Sequence, residues 1–229
     1  VASLARKEVD CNTVLVTGTV GKTGFKIQLH HCLKNQINVH AFLSSINTKI
    51  PTLRSLSSLK ADDDLEVIEV CVGKDASFVE TKSHWITPDV CVFTDLGPNH
   101  MDRHKTIDNL VNAKASVIAG LKESGFCIVN HDAQLHDQLV KELKRRNKNI
   151  TLYSFGSNNK ADAFLIDSQI NKEHYGWNIC ASVAGEIVEY TLPLFQQHAP
   201  VQSLGVLLAV KKLGYDIQKA AADYKYEID

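Results

Sequence analysis

Residues 14–23 read VLVTGTVGKT, an apolar run that passes into a glycine-rich loop ending in Gly-Lys-Thr. A helical pattern follows directly, at residues 21–33. Glycines let backbone N–H groups curl around phosphate oxygens, and the start of a helix adds positive potential. Strand, loop and helix in this order therefore indicate a phosphate-binding loop rather than an ordinary turn, although Val16 stands where the general G-x-x-x-x-G-K-[ST] pattern has its first glycine.

Five residues of this loop are candidate nucleotide-binding residues. We expect the backbone of Gly18, Thr19 and Gly21 to surround the phosphates. The ammonium group of Lys22 would neutralise the β and γ phosphates, and the hydroxyl of Thr23 would hold Mg²⁺.

Short apolar runs alternate with helical patterns along the first 160 residues. The predicted strands are residues 13–17, 38–43, 65–72, 89–94, 126–130 and 150–155, and the clearest helical patterns are 21–33, 107–121 and 133–145. Parallel neighbouring strands require a crossover between them, so this order predicts an α/β fold of P-loop type. We expect a mostly parallel sheet with helices on both faces, and ligands beyond the carboxyl ends of its strands.

The pattern changes at residue 162. Three short runs separated by turn-like residues predict a small antiparallel sheet appended to the main one, and two helical patterns finish the chain. The runs are residues 163–170, 175–183 and 187–192, and the helical patterns are 200–213 and 217–224. We accordingly divide residues 1–229 into an α/β core (1–160), an antiparallel β-sheet (161–195) and closing helices (196–229).

Composition excludes several classes of partner. Hydrophobic residues make up 44% of the 229, enough for a sizeable core, and 25 basic residues nearly balance 26 acidic ones. A net charge of -1 creates no field that would gather nucleic acid or an anionic membrane. We interpret the basic run at residues 141–148 as a solvated helix end rather than a binding patch.

The six cysteines are widely spaced and form no C-x-x-C pair, which is typical of reduced core residues in a cytoplasmic protein. No segment approaches the roughly 20 apolar residues that span a bilayer. The chain begins without Met and a strand follows almost at once, so we expect a fragment or a processed chain.

Two carboxylates interrupt the apolar run at residues 65–70. Glu66 and Glu69 are three positions apart, so they point to opposite faces of the strand. An acidic side chain inside a buried strand is costly unless it is paired or bound to metal. Glu69, near the carboxyl end, is the candidate metal ligand, and the alternative is an edge-strand residue that faces water.

The phosphate loop resembles that of the Mur ligase superfamily, whose central domains carry Thr-Gly-Thr-x-Gly-Lys-[Ser/Thr]. Val20 stands where the family usually has Asn, and Gly24 where a further Ser or Thr is common. Residues 94–104, TDLGPNHMDRH, are similar to a Mur ligase stretch of roughly Thr-Asn-[Ile/Leu]-Gly-x-Asp-His-[Leu/Met]-Asp-x-His, with Asp95 and Asn99 as departures. This second match is the more specific of the two.

The resemblance implies roles for three further residues. Glu69 would serve a second Mg²⁺, and His100 would be a metal ligand. Lys114, fourteen positions beyond His100, matches a lysine that is frequently carbamylated and then helps to hold that metal. Carbamylation requires a neutral amine and hence a lowered pKa. An exposed helix lysine is the alternative, as is a zinc pair formed by His100 and His104, although the H-E-x-x-H motif needs Glu at position 101.

Two later stretches also resemble the family. Residues 127–132, CIVNHD, match a strand ending in Asn-x-Asp, which implies that Asn130 lies beside the nucleotide. Residues 197–202, QHAPVQ, resemble a His-Asn-x-x-Asn segment whose amides read adenine, but both Asn positions differ. Gln202 would still offer an amide to the base, and packing at a helix start is the alternative.

The resemblance implies an ATP-dependent ligase that activates a carboxylate as an acyl phosphate and couples it to an amine. Lys22, His100 and Lys114 are the candidate catalytic residues, with ATP and one or two Mg²⁺ ions as cofactors and small-molecule carboxylates and amines as partners. We expect no nucleic acid or membrane partner, and the oligomeric state stays open. The product would belong to cell-wall peptidoglycan precursor or poly-amino-acid synthesis, and residues 46–51 resemble the dipeptide-adding and poly-glutamate branches.

Complete Mur ligases also have N- and C-terminal domains that are missing here, so this chain alone would be weakly active or inactive. Two other classes remain open. One is an ordinary P-loop ATPase or kinase, which would need neither an amine nor Lys114. The other is a noncatalytic nucleotide-binding module, which the departures at positions 20, 24, 199 and 202 favour.

Overall fold

The computed structural model describes residues 6, 9–42, 49–72, 76–98, 104–173, 175–193 and 197–224. Its strands are β1 (Asn12–Thr17), β2 (Val39–Ala41), β3 (Leu65–Glu69), β4 (Val90–Phe93), β5 (Phe126–Asn130), β6 (Thr151–Gly156), β7 (Ala163–Asn171), β8 (Gly176–Val183) and β9 (Glu186–Leu192). Its helices are α1 (Lys22–Leu33), α2 (Lys49–Ser57), α3 (Ala76–Ile86), α4 (Ile107–Ala115), α5 (His136–Arg146), α6 (Ala199–Lys212) and α7 (Ile217–Ala222). A short 3₁₀ helix, Ser116–Gly120, continues α4.

The nine strands of the described residues form one sheet, in the order β2-β3-β1-β4-β5-β6-β7-β8-β9. The first six strands run parallel, and β1 lies between β3 and β4. The predicted mostly parallel α/β sheet is therefore confirmed. Because β1, β3, β4 and β5 run in the same direction, the residues that follow each of them meet at one edge, where the candidate site lies.

Apolar side chains fill the space on both faces of the sheet. On β1, Val14 and Val16 join a core with α1, α6 and α7, whereas Leu15 joins a second core with α3, α4 and α5. Side chains alternate along a strand, so strands that are apolar on both faces must be covered on both sides. This arrangement confirms the predicted helices on the two faces.

The last three strands are antiparallel to one another, as predicted, and they continue the main sheet. β7 joins β6 through only two parallel residue pairs, whereas β7, β8 and β9 pair along most of their lengths. α6 packs across this junction, and 11 of its 14 residues are buried. Its first turn lies against the phosphate loop.

Most predicted elements are observed, with ends shifted by a few residues. The predicted helix at 107–121 is divided at Ser116, where a 3₁₀ helix begins. The basic run is more structural than predicted, because Arg146 lies 3.0 Å from Glu80 of α3 and donates to the Asn112 side chain of α4. Among the described residues, no helix has both the length and the apolar composition needed to cross a bilayer.

Candidate functional site

The phosphate loop connects β1 to α1 and depends on two glycines with positive φ. Gly18 has φ 150° and Gly21 has φ 86°, a left-handed conformation at the start of α1. A Cβ atom on Gly18 would lie 2.1 Å from the Thr94 hydroxyl oxygen, so a side chain at this position would collide with the loop after β4. Glycine is therefore required for both backbone conformation and close approach.

The loop after β4 contacts the phosphate loop directly. The N–H of Thr19 donates to the Asp95 carbonyl at 2.6 Å, and its hydroxyl donates to the Gly97 carbonyl at 3.2 Å. The start of the second Mur-like stretch, residues 94–97, is thus at the same edge of the sheet as the glycine loop. His100 and Asn99 lie outside the described residues, so the predicted role of His100 stays a prediction, as does the zinc alternative.

The carbonyl groups of four consecutive loop residues all accept hydrogen bonds from side chains. The donors are Lys114 Nζ (2.6 Å) and Lys22 Nζ (3.2 Å) to Gly18, Lys22 Nζ (3.2 Å) to Thr19, Thr94 Oγ1 (2.6 Å) to Val20, and Gln202 Nε2 (2.7 Å) to Gly21. In a trans peptide the N–H points away from the preceding C=O. Holding the carbonyls of Thr19, Val20 and Gly21 in this way directs the N–H groups of Val20, Gly21 and Lys22 away from these donors, as an anion-binding nest requires. The Thr19 N–H donates to Asp95 instead.

Glu69 lies at the carboxyl end of β3, beside the first turn of α1. Its carboxylate accepts a 2.8 Å hydrogen bond from the Thr23 hydroxyl and lies 3.4 Å from the Lys26 ammonium. The Glu69 side chain is buried, so the alternative of a glutamate facing water is wrong. Glu66, as predicted, points to the other face, where it accepts from Ser55.

Lys114 is buried on α4 and reaches the phosphate loop 96 residues away in sequence. Burial is the main cause that lowers its pKa to about 8, and the nearby charge of Lys22 lowers it further. The alternative of an exposed helix lysine is therefore wrong. A lowered pKa increases the fraction of neutral amine, the form that reacts with carbon dioxide.

A cavity of about 470 Å³ opens beside Val20 and Gly21, a size within the range of small-molecule sites. Its wall away from the loop contains Asn130, Asp132, Phe155, His198, Val201 and Gln202. Asn130 lies at the end of β5, where its side-chain oxygen accepts from the N–H of Asp132. Both residues predicted to lie beside the nucleotide, Asn130 and Gln202, therefore line the same cavity.

The side chains near the loop fit Mg²⁺. The Thr23 hydroxyl and the Glu69 carboxylate supply hard oxygen ligands within 2.8 Å of each other. Across the described residues there is no cluster of three or more His, Cys, Asp or Glu that could cage a metal. Mg²⁺ does not need such a cage, because it commonly takes one or two protein oxygens and completes its shell with phosphates and water.

Sequence reasoning missed three contributors. Thr94 holds the Val20 carbonyl, Asp132 accepts from the Ser157 N–H at 2.6 Å and so joins the ends of β5 and β6, and Lys26 lies beside Glu69. Lys26 is four residues after Lys22 and hence on the same face of α1, a signal that was available. The roles of Thr94 and Asp132 depend on which strands are neighbours.

Comparison with known proteins identifies the family of this chain. The family model for the Mur ligase middle domain matches residues 16–209. The UDP-N-acetylmuramoyl-tripeptide–D-alanyl-D-alanine ligase of Rickettsia prowazekii is 24% identical over 222 residues, which cover 94% of this chain and 47% of that protein. The UDP-N-acetylmuramoylalanine–D-glutamate ligase of Prochlorococcus marinus is 31% identical over 165 residues, covering 72% of this chain and 32% of the relative.

Solved structures agree on the fold. MurF from Acinetobacter baumannii superposes with a TM-score of 0.88 at 16% identity and covers 100% of this chain and 49% of its own. The MurF ligase from Thermotoga maritima, solved in complex with ADP, gives a TM-score of 0.78 at 23% identity, covering 96% of this chain and 51% of its own. The chain thus spans about half the length of the Rickettsia relative and of these two MurF structures. It belongs to the Mur ligase family, and residues 16–209 are the family's middle domain.

Proposed function

We propose that the full-length protein is an ATP-dependent ligase that forms an amide bond in peptidoglycan precursor synthesis. Several of the relatives are named as UDP-N-acetylmuramoyl-tripeptide–D-alanyl-D-alanine ligases. The proposed carboxylate substrate is therefore a UDP-N-acetylmuramoyl-tripeptide, and the proposed amine is D-alanyl-D-alanine. Residues 1–160, 161–195 and 196–229 form the proposed parts of the middle domain, with the N- and C-terminal ligase domains outside this chain.

One observation carries the proposal: the phosphate loop, the Thr23–Glu69 pair and Lys114 meet at the carboxyl edge of the sheet. A buried carboxylate beside the hydroxyl that ends a phosphate loop suits a metal–triphosphate complex, and the adjoining cavity suits a nucleoside. ATP is the proposed nucleotide and Mg²⁺ the proposed metal. The six cysteines, all within the described residues, are free thiols, which supports a cytoplasmic location.

Each side chain has a defined task in this reaction. The loop N–H groups and Lys22 stabilise negative charge as the γ-phosphoryl group passes to the substrate carboxylate and ADP leaves. Mg²⁺, when bound, neutralises phosphate charge, and Thr23, Glu69 and the proposed ligands His100 and carbamylated Lys114 would hold it. The amine attacks the resulting acyl phosphate, Lys22 stabilises the developing oxyanion, and phosphate departs as the amide forms.

The test is phosphate release by the purified full-length protein with Mg²⁺ and ATP. We expect release to require both the UDP-linked tripeptide and D-alanyl-D-alanine, with D-glutamate as the competing amine. Lys22→Ala should abolish release and nucleotide binding, whereas Lys34→Ala, at the other end of α1, should change neither.

Each other outcome of this assay identifies an alternative. Release without an amine indicates an ATPase or kinase, and release with D-glutamate together with its own acceptor indicates a different ligase of the family. Mg-ATP binding without phosphate release in any of these mixtures indicates a noncatalytic nucleotide-binding module, and absence of Mg-ATP binding contradicts the proposed function.

A further inference from the structure

Gln202 lies in the first turn of α6 and reaches across to the phosphate loop. Its side chain is buried, and Nε2 donates a 2.7 Å hydrogen bond to the Gly21 carbonyl, 181 residues away in sequence. The same carbonyl accepts the first helical hydrogen bond of α1, from the N–H of Phe25 at 2.8 Å. Two donors therefore fix the orientation of one peptide group at the junction of loop and helix.

Gly24 provides the space that this side chain occupies. A Cβ atom at position 24 would lie 2.9 Å from Gln202 Nε2, and its three nearest neighbours would all be atoms of the Gln202 amide. A residue with a side chain at position 24 would thus push the amide away from the Gly21 carbonyl. Gly24 and Gln202, two of the positions at which this sequence departs from its family, are complementary in shape.

The peptide that Gln202 holds joins Gly21 to Lys22. Because the C=O and N–H of a trans peptide point in opposite directions, fixing the Gly21 carbonyl directs the Lys22 N–H toward the space that the loop encloses. Lys22 is also the residue whose ammonium is proposed to neutralise the phosphates. A change in the orientation of this peptide would therefore move both the Lys22 N–H and the Cα atom from which the Lys22 side chain extends.

We propose that Gln202 is a positioning residue for the phosphate loop, acting through the Gly21 carbonyl in space opened by Gly24, rather than a residue that reads the base. This inference rests on the proposed nucleotide-binding function. If the inference holds, loss of the Gln202 amide must weaken the binding of ATP and of a ligand that has phosphates but no base by the same factor.

Isothermal titration calorimetry on the full-length protein separates these roles, with Mg-ATP and Mg-tripolyphosphate as probes. Gln202→Ala should weaken the binding of both by the same factor, about 3- to 10-fold for one hydrogen bond. Gln36→Ala is the matched control: Gln36 Nε2 also donates to a backbone carbonyl, that of Asp216, but at the far end of α1. That variant should bind both probes like the wild type.

Gly24→Ala tests the shape complementarity. Alone it should weaken tripolyphosphate binding, because the added methyl group displaces the Gln202 amide. In the Gln202→Ala background it should cause no further loss, which is the non-additivity expected of two residues in contact. Hydrogen exchange of the unliganded protein should also be faster at residues 19–22 in Gln202→Ala than in the wild type.

Three results would overturn the inference. They are a loss for ATP without a loss for tripolyphosphate, equal losses in Gln202→Ala and Gln36→Ala, and unchanged binding and exchange in Gln202→Ala. If the wild type binds neither probe, the proposed function fails, and the exchange rates of residues 19–22 still decide whether Gln202 orders the loop.

Discussion

The amino group of Lys114 lies 2.6 Å from the carbonyl oxygen of Gly18, although 96 residues separate them. This contact joins α4 to the phosphate loop and places a second lysine beside Lys22. Two amino groups near one loop disfavour double protonation, in addition to the cost of burying a charge. The electrostatics of the loop therefore depend on the protonation state of Lys114.

Lys114 should form a carbamate at lower pH than an ordinary lysine does. Burial and the charge of Lys22 lower its pKa from 10.5 to about 8, so its neutral fraction rises through pH 8. With ¹³C-labelled carbon dioxide at fixed concentration, the ¹³C NMR carbamate signal should increase between about pH 7 and 9. The signal should be absent in Lys114→Ala and should shift to higher pH in Lys22→Ala. A pH dependence like that of exposed lysines would contradict this.

Glu69→Gln should raise the Mg²⁺ concentration that ATP binding requires. The variant keeps the shape of the side chain beside Thr23 but removes the charge. We expect the Mg²⁺ concentration for half-maximal binding to rise about 10-fold or more, since even the loss of an outer-shell partner typically costs that much. Glu66→Gln, on the same strand and the opposite face, should leave it unchanged. Equal responses of the two variants in the titration would rule out a metal role for Glu69.

Glu66 should make stability depend on pH. Burial raises its pKa from 4.5 to about 7, against the opposing effects of Arg6 and Ser55. The folded protein therefore binds the proton more tightly than the unfolded chain. Protonated Glu66 contributes up to about 3 kcal/mol to the free energy of unfolding. This contribution is complete below about pH 4.5 and is lost as the pH rises through 7. In urea unfolding, the free energy of unfolding of Glu66→Gln should rise relative to that of the wild type between pH 5 and 8. A difference that does not change with pH would exclude this role.

The sequence predicted the parallel strands because their apolar runs are short and bounded by polar residues, and β5 was predicted with its observed ends. It did not single out α3. The buried side of that helix contains Val79, Lys82, Ser83 and Ile86, and the two polar residues interrupt the apolar period that pattern reading needs. Lys82 is buried, with its ammonium over the ring of Phe78 one turn earlier on the same helix, so a basic residue occupies the side of α3 that faces the core.

The phosphate loop was predictable because its chemistry is contiguous in sequence. Lys114 was located by resemblance, and its burial lowers its pKa as carbamylation would require, while carbamylation itself stays a prediction. The contact of Gln202 with Gly21 was not predictable in this way, because it depends on how α6 packs across the sheet. Shape complementarity between positions 24 and 202 becomes visible only when both are placed in three dimensions.

The near-complete burial of α6 restricts how this region can change in length. Successive residues of an α-helix are separated by about 100°, so inserting one residue in its middle would turn every later side chain by that angle. Val210, which is fully enclosed, would then take the partly exposed place of Lys211, and a one-residue deletion would instead move Lys211 into the enclosed place of Val210. Insertions and deletions are consequently tolerable in the turns that flank this helix and not within it, where the register of the amino-terminal turn against the loop must also be kept.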